Sequence, residues 1–362
     1  MRVGLLANIK PTGEALTKLT KQLALTPSDL TDLFAEWDGI ETVEAVCNAL
    51  NSHPDVQCEI VEAQPKIALP RLQSEKFDIV FNIAEGFLGN AREAQFPALL
   101  EMLGIPYTGS GPLTLAIALD KARTKEILSY HGIPVARFVT LDHPVTSLAQ
   151  ALPGAQYPLI AKPIAEGSSK GVKNSSFVTN DNELNREIER IRTDYGQAAI
   201  VEEFLSGREF TVAVLGNSPN ARILPIVEIN FSELPDAANK IYSYEAKWIY
   251  DVAEKPLNIF SCPAELETNL RKEIESVVLA AYETLDCKDW SRIDVRLDAR
   301  GRANIIEINP LPGILPKPEE NSCFPKAARA VGLNYEEMLL TVLKAGCDRY
   351  SIPFQFAPSF TH

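Results

Sequence analysis

Four polar residues alternate with apolar ones in two short stretches of the 362-residue chain. Arg292 and Asp294 lie in "SRIDVRLDA", and Glu307 and Asn309 lie in "RANIIEIN". Every second side chain of a strand points to the same face, so a hairpin about the turn "ARGR" would bring two carboxylates and an amide oxygen together. Hard oxygen ligands of this kind suit Mg²⁺. The alternative interpretation is a solvated sheet face, because alternation alone is common.

A second stretch that could do chemistry is "AKPIAEGSSKGV", residues 161–172. Its glycines allow close approach of the backbone, and Ser168 and Ser169 add hydroxyl groups. Lys162 and Lys170 could neutralise phosphate charge. The spacing does not match the P-loop pattern, which excludes that mechanism. Taken alone, the stretch is equally consistent with a structural turn.

Two adjacent acids, Glu202 and Glu203, end the apolar run in "IVEEFLSGRE", where a strand that becomes a loop could offer its backbone to an adenine edge. The chain has four histidines, and all lie outside these stretches. A histidine-dependent triad or acid–base mechanism is therefore not expected. Catalysis would depend on cations, a metal ion and positioning, as in phosphoryl transfer.

The elements that must position these residues follow from hydrophobic periodicity. Alternating strands and helices predict an α/β domain with a parallel sheet that ends near Asp120. Its strands are "RVGLLAN", "DVQCEIVEA" and "FDIVFNI", and its helices are "IETVEAVCNALNSH" and "AREAQFPALLEMLG", with Gly104 as the C-cap. The helix "KARTKEILSYHG" and the strands "YPLIAKPI", "AIVEEFL" and "REFTVAVLG" indicate a second, α+β unit. A third unit begins around Glu209 and contains the hairpin.

Two stretches lack a regular period. "NFSELPDAANKIYSYEAKWIYDVAEKP" is predicted to be a long loop, and "NPLPGILPKPEENS" carries four prolines, which exclude a regular helix or a central strand. Long loops in compact enzymes are often functional.

Composition sets wider limits. A 362-residue chain that is 46% hydrophobic and 23% charged indicates a globular protein of two or three domains. The net charge of −13 argues against non-specific nucleic-acid binding. The six cysteines include no C-x-x-C pair and predict free thiols in a reducing compartment. We find no signal-peptide core or membrane-spanning run, so the sequence predicts a soluble cytoplasmic protein.

In combination, the motifs resemble the ATP-grasp superfamily and, within it, the D-alanine–D-alanine ligase family. The resemblance covers nearly the whole chain in family order. It is carried by "GIPYTGSGPLTLAIALDK", "AKPIAEGSSKGV", "VEEFLSGREFTV", "YSYEAKW", "SRIDVRL", "IIEINPLPG" and "SCFPKAARAVGL". The fold it implies is α/β with three domains: a Rossmann-like amino-terminal domain (1–120), a central ATP-grasp subdomain with the Gly/Ser loop (121–208) and a carboxyl-terminal ATP-grasp subdomain (209–362), with ATP held between the last two.

The resemblance also implies roles for matching residues. For ATP these are Lys121 and Lys162 at the phosphates and purine, Glu166, Ser168 and Ser169 in a small lid, Glu202, Glu203, Phe204 and Leu205 at the adenine, Glu209 at the ribose, and Lys247 in a longer closing loop. The implied ligands of Mg²⁺, or of Mn²⁺ in its place, are Asp294, Glu307 and Asn309. Arg292 and the backbone of Gly313 would stabilise a tetrahedral intermediate, Ser168 would orient substrate and phosphate, and Ser322 would hold the second substrate's carboxylate.

The implied reaction is ATP-dependent joining of two amino acids through an acyl phosphate, by an enzyme that resembles homodimeric ligases. Against this, the amino-acid subsites depart from the family. An insertion precedes the helix at Ile40, and the candidates to replace the family's glutamate for the first ammonium group are Glu14, Glu36 and Asp38. The residues expected at the rewritten subsites are Glu85 in place of a histidine, Asn90 and Arg92 in place of acidic and glycine residues, Trp248 in place of a tyrosine, and Ser322 after a lengthened loop.

The rewritten subsites leave the substrates open. The alternatives to a D-alanine substrate are another dipeptide, an amino acid added to a natural product, or transfer to a thiol or carrier. A nucleotide-binding protein without catalytic activity is the alternative from a different class.

Overall fold

The computed structural model describes residues 1–14, 16–17, 32, 34–86, 88–234, 239, 241 and 259–359. A parallel three-stranded sheet in the order β2-β1-β3 comes first, as predicted. Its strand β1 is a continuous apolar run that is buried on both faces, which is typical of a central parallel strand. The elements of this part are β1 (Arg2–Ala7), α1 (Ile40–Asn51), β2 (Gln57–Glu62), α2 (Pro65–Ser74), β3 (Ile79–Asn82), a 3₁₀ turn (Arg92–Ala94), α3 (Gln95–Leu103) and α4 (Pro112–Leu119).

Gly104 ends α3 with a φ of 67°, which confirms the predicted C-cap. The predicted strands and helices of this part are all present, although the helix around "AREAQF" begins as a 3₁₀ turn.

An antiparallel four-stranded sheet in the order β4-β7-β5-β6 follows. Its elements are α5 (Lys121–Tyr130), β4 (Phe138–Leu141), α6 (Leu148–Ala151), β5 (Leu159–Pro163), a 3₁₀ turn (Asn174–Ser176), β6 (Phe177–Val178), α7 (Asp181–Tyr195) and β7 (Ala199–Glu203). Asp120 caps α5, since its carboxylate accepts hydrogen bonds from the backbone N–H groups of Ala122 and Arg123 at 3.0 Å. This cap fixes Lys121 at the first position of the helix.

The third sheet has the order β11-β10-β8-β12-β13, with β9 paired to β8. Its elements are β8 (Glu209–Leu215), β9 (Arg222–Ile223), β10 (Val227–Ile229), a 3₁₀ turn (Phe231–Glu233), β11 (Phe260–Ser261), α8 (Thr268–Thr284), β12 (Trp290–Leu297), β13 (Ala303–Asn309), α9 (Cys323–Arg329) and α10 (Tyr335–Arg349). The predicted hairpin is confirmed as β12 and β13, and no regular element covers residues 310–322.

The sheets are joined by buried contacts. Trp290 of β12 lies edge-on to Phe81 of β3 and to Phe324 of α9, with 5.6 Å between ring centroids in each case. Ile305 of β13 donates its backbone N–H to Pro134 at 2.9 Å, next to the four-stranded sheet. The sheets lie within the three predicted domain ranges, whose boundaries stay a prediction. In the part of the chain that is described, no helix is long and apolar enough to cross a membrane.

Candidate functional site

A cavity of about 300 Å³ opens between the four-stranded and six-stranded sheets. Most of the residues singled out from the sequence line it, although they come from elements far apart in the chain. They are Glu85, Lys121, Lys162, Glu166, Ser168, Ser169, Glu202, Glu203, Phe204, Leu205, Glu209, Arg292, Asp294, Glu307, Asn309, Gly313 and Ser322. The fold therefore brings one set of predicted positions into one place.

Two of the expected site residues that the structure describes, Asn90 and Arg92, are not in this lining. Asn90 is exposed on a turn outside the cavity, and Arg92 is buried in ion pairs behind it. Lys247 and Trp248 lie outside the described residues. Of the three acids considered for the first ammonium group, Glu14 is exposed away from the cavity, whereas Glu36 and Asp38 line it.

Buried ion pairs organise the cationic part of the cavity. The Lys121 ammonium lies 2.9 Å from Glu307 Oε1, and the Lys162 ammonium lies 3.0 Å from Glu202 Oε1. Burial alone would raise the pKa of Glu307, but the two lysines lower it to about 2. Glu307 and Glu202 are therefore ionised, and the two lysines that pair with them line the cavity.

Lys125 was missed from the sequence. Its ammonium is almost completely buried, lies 3.2 Å from Glu202 Oε2 and donates to the carbonyl of Ile305 at 3.3 Å. Lys125 follows Lys121 by one helical turn on α5, so its spacing was a signal that it shares the inward face. Burial alone would raise the pKa of Glu202, but Lys125 and Lys162 hold it below its usual value.

The hairpin places the predicted metal-binding residues opposite one another. Asp294 pairs with Glu307 across the strands, and Arg292 pairs with Asn309. Arg292 binds Asp294 through two hydrogen bonds of 3.0 and 3.1 Å. Among the described residues no three His, Cys, Asp or Glu side chains converge into a metal cage. Two carboxylates and an amide are instead a donor set that fits Mg²⁺ with substrate phosphates as the remaining ligands.

Glu209 and Phe204 form the adjoining wall of the cavity. Arg296 contacts Glu209 Oε2 at 2.7 Å and stacks over the Phe204 ring at 4.6 Å. Phe204 also meets Phe177 edge-to-face, with 5.0 Å between ring centroids. The wall is thus an aromatic surface fixed by a buried ion pair, and it suits a planar ring.

The Gly/Ser loop is held down by a cluster centred on Arg92. The Arg92 guanidinium contacts both oxygens of Glu36, Glu166 Oε2 at 3.0 Å and the carbonyl of Ala165 at 3.0 Å. Glu36 in turn accepts a hydrogen bond of 2.7 Å from the N–H of Gly167. Ser168 and Ser169 follow with φ values of 50° and 59°, a sparsely populated conformation that holds their side chains at the cavity wall.

The proline-rich loop, residues 310–322, forms another part of the cavity wall. The Ser322 hydroxyl donates to the carbonyl of Gly313 at 3.0 Å and accepts from the N–H of Leu315 at 3.1 Å. These two bonds fix the loop conformation that presents the Gly313 backbone.

An acidic trio, defined as Asp38, Glu85 and Glu93, lines the part of the cavity next to the Arg92 cluster. Burial raises the pKa of Glu93 to about 8 and that of Asp38 to about 6. Burial also raises the pKa of Glu85 well above its usual value, and the charges of Glu93, Glu36 and Asp38 raise it further. Glu93 was missed from the sequence, which offered no signal to separate it from other surface acids.

Comparison with known proteins decides the family. A family model described as the carboxyl terminus of D-Ala D-Ala ligase matches residues 127–344. A D-alanine–D-alanine ligase of Bordetella avium (strain 197N) is 34% identical over 275 residues, which cover 76% of this chain and 80% of that protein. The chain belongs to the D-alanine–D-alanine ligase family. An uncharacterised protein of Sinorhizobium fredii (strain NBRC 101917 / NGR234) is 33% identical over 272 residues, which cover 75% of each chain.

A solved structure of the D-alanine–D-alanine ligase from Bacillus anthracis, complexed with ATP, has the same fold as this family member. The TM-score is 0.70, with 21% identity, over 97% of this chain and 99% of that chain. The predictions of the family, the α/β ATP-grasp fold and the enzyme class are confirmed, and the chain is an ATP-dependent ligase.

Proposed function

We propose that this ligase joins the carboxylate of one amino acid to the amine of another, with ADP and phosphate released. The observation that carries the proposal is the convergence, in one cavity, of two buried lysines with the Asp294–Glu307 pair and Arg292. Preorganised cations beside paired carboxylates are the arrangement that phosphoryl transfer requires.

ATP would lie between the two antiparallel sheets. Lys121 and Lys162 would contact its phosphates, the backbone of residues 202–205 would meet the adenine edge, and Glu209 would bind the ribose. In the ligand-free protein both lysines are neutralised by acids, so ATP binding would exchange Glu202 and Glu307 for phosphate oxygens. Glu202 would keep its ion pair with Lys125, and Glu307 would become free to bind the metal ion, so neither acid would be left without a partner.

Asp294, Glu307 and Asn309 would hold Mg²⁺, or Mn²⁺ in its place. Bound there, the ion would neutralise charge on the phosphates and on the transferring phosphoryl group. Arg292 would then exchange its bond to Asp294 for a bond to the substrate, because the metal ion would neutralise the Asp294 carboxylate in place of the guanidinium.

The chain's own residues would support two displacements. The first substrate's carboxylate oxygen attacks the terminal phosphorus of ATP, which forms an acyl phosphate and releases ADP. The second substrate's amine attacks the acyl carbon, the bond from carbon to the phosphate oxygen breaks, and the amine loses a proton as the amide forms. Arg292 and the N–H of Gly313 would stabilise the oxyanion of the tetrahedral intermediate that forms before the bond to phosphate breaks. Ser168 would orient the substrate and phosphate from the lid, and Ser322 would receive the second carboxylate.

Two further expectations rest on the sequence alone. A homodimer is implied by the family resemblance, and a cytoplasmic location was predicted from composition. Both stay predictions, to be checked by sedimentation and by cell fractionation.

The test is release of ADP by the full-length chain with ATP, Mg²⁺ and a panel of amino acids in both stereochemical forms. We expect ADP release that depends on an amino acid, together with a product whose mass equals two substrates minus water. Glu307→Gln should reduce kcat at least about a hundredfold, because it removes a charge that would ligate the metal ion. If ATP binds but no amino acid stimulates ADP release, the proposal is wrong.

A further inference from the structure

The acidic trio exceeds what a neutral amino acid would need. An alanine carries one ammonium group, whereas Asp38, Glu85 and Glu93 together line the cavity. Glu36 is already committed, since Arg92 binds both of its oxygens and the Gly167 N–H binds one of them. Burial alone would raise the pKa of Glu36, but Arg92 and Lys170 hold it below its usual value.

The Arg92 cluster is electrically complete without the trio. Arg92 and Lys170 supply two positive charges, and Glu36 and Glu166 supply two negative ones, with Lys170 2.9 Å from Glu166 Oε2. Gln197 also donates to Glu166 Oε1 at 2.6 Å. Arg92 therefore forms no ion pair with Glu93, its neighbour in the chain, although its charge opposes the effect of burial on the pKa of Glu93.

The trio is near positive charges but forms no direct contact with them among the residues that the structure describes. The side chains of Asp38, Glu85 and Glu93 make no hydrogen bond or ion pair there. Glu93 is only 8% exposed, and what remains exposed faces the cavity that it lines. Buried carboxylates without partners are costly, and their raised pKa values express that cost.

The trio is held in place rather than free to turn outward. Asp38 is fixed by its backbone, which bonds to Asn8 at 3.2 Å and to Lys10 at 2.8 Å as an extension of β1. Glu85 directly follows β3 and its buried extension, and Glu93 lies in the 3₁₀ turn before α3. A cation entering this space would meet acids from three different elements.

The charges of the acidic trio and its neighbours indicate how many positive charges a ligand should carry. Lys10 lines the same part of the cavity, and its charge lowers the pKa of Asp38 against the larger effect of burial. The charges of Lys121 and Arg92 also act on Glu93, but these two cations are already paired with Glu307 and with Glu36 and Glu166. Once ionised by a bound cation, three carboxylates beside one described lysine carry two net negative charges, which match two ammonium groups. Trp37 lies beside them, 7% exposed and fixed by an indole N–H bond of 2.8 Å to the carbonyl of Gly86. Its ring provides an apolar surface for an alkyl stem.

We propose that one of the two substrates is a basic amino acid, with a second ammonium group on an aliphatic side chain that the acidic trio binds. The proposal rests on the proposed function and narrows its substrate class. The charges of Lys121 and Glu307 act on Glu93, so the trio adjoins the place where the phosphoryl group would be transferred. A substrate held by two ammonium groups would thus present its carboxylate or amine to the reacting atoms.

The experiment compares lysine and ornithine with norleucine, which matches the length of lysine but lacks the terminal ammonium group. Each is offered alone and with alanine, in both stereochemical forms, to the full-length chain with ATP and Mg²⁺. We expect kcat/KM, measured by ADP release, to be at least about tenfold higher for a basic amino acid. Equal or better use of norleucine or alanine would leave the ligase function intact and overturn this inference.

Variants of the acidic trio test whether these residues cause the preference for a basic amino acid. Glu85→Gln and Glu93→Gln should each reduce the ratio of lysine to norleucine kcat/KM at least about tenfold. Glu44→Gln, an exposed acid on α1, is the matched control and should leave the ratio unchanged. If both trio variants keep the wild-type ratio, the trio does not bind the substrate.

A binding measurement separates this inference from the ligase activity. Calorimetric titration of the ATP-bound protein with lysine and with norleucine should detect heat for lysine alone. Proton release on lysine binding should appear as a dependence of that heat on the buffer, because ammonium groups would ionise the trio. Absence of ADP release with selective lysine binding would refute the ligase proposal only, whereas equal binding of both compounds refutes the inference.

Discussion

Glu202 is the residue on which the cationic part of the cavity depends. Its two oxygens separate Lys125 from Lys162, at 3.2 and 3.0 Å. All three side chains are at most 7% exposed, so water screens their charges very little. Burial lowers the pKa of Lys125, but the charge of Glu202 opposes this effect. One carboxylate therefore lies between two buried lysine side chains and favours the charged form of both.

Glu202→Gln should lower the free energy of unfolding by about 3 kcal/mol, since removing one partner leaves the other buried charges without compensation. Urea unfolding of the ligand-free protein measures this change. The matched control is Glu189→Gln on α7, whose partner Arg192 is half-exposed, and its effect should be small. A Glu202 variant as stable as the control would mean that the lysines are not charged in the folded state.

The packing of the Gly/Ser loop against the end of β5 depends on a glycine. A Cβ on Gly171 would lie 2.4 Å from Pro163 Cγ, and the φ of Gly171 is 75°. Pro163 ends the strand that carries Lys162, so displacement of the loop would disturb the phosphate contact that we propose for Lys162.

Gly171→Ala should raise the KM for ATP about tenfold or more, because the added methyl group overlaps backbone-fixed atoms. The control is Gly301→Ala in the hairpin turn, where φ is 77° but no atom lies within 4 Å of the added Cβ. Both variants carry the same backbone strain, so only the first should affect ATP. Equal KM values in the two variants would contradict a role for loop seating.

Elements with a strong local pattern were predictable, and elements defined by distant contacts were not. The hairpin of Arg292 and Asn309 was predicted with its facing residues, because strand alternation is a local rule. Helix α2 was not predicted, since Pro70 lies inside it. The pairing of Arg92 with Glu36 joins residues 56 positions apart through an insertion, and no local pattern encodes such a contact.

At the scale of the whole molecule, contacts between distant elements also limited how much of the site could be predicted from the sequence. The described positions among those predicted for ATP and metal converge in the cavity, because long motifs carry them together. Lys125 and Glu93 were missed, since their importance arises only from what burial and neighbouring elements do to their charges. Arg92 was expected at a substrate subsite, and the structure places it beneath the Gly/Ser loop, in ion pairs with Glu36 and Glu166.

The acidic trio also has a consequence for the stability of the whole protein. The pKa of Glu93 is about 8, raised by burial and then by Glu36, while Arg92 and Lys121 lower it and Glu307 raises it. Glu36 and Glu307 have lowered pKa values and Arg92 a raised one, so these three keep their charges between pH 5 and 8. An acid with a raised folded-state pKa binds its proton more tightly when folded. Stability is therefore lost as pH rises from the unfolded pKa toward 8.

Glu93→Gln keeps the neutral form at every pH, so the variant should become more stable than its parent as pH rises. Glu85 titrates above its usual range as well, and the comparison is therefore made in the Glu85→Gln background of the ligand-free protein. The difference in free energy of unfolding should grow by up to about 1.4 kcal/mol per pH unit between pH 5 and 8 and then level off. Glu44→Gln in the same background should give a difference that does not change with pH. A Glu93 variant that is less stable at pH 8 would assign this carboxylate a structural partner and leave the cavity without its excess of negative charge.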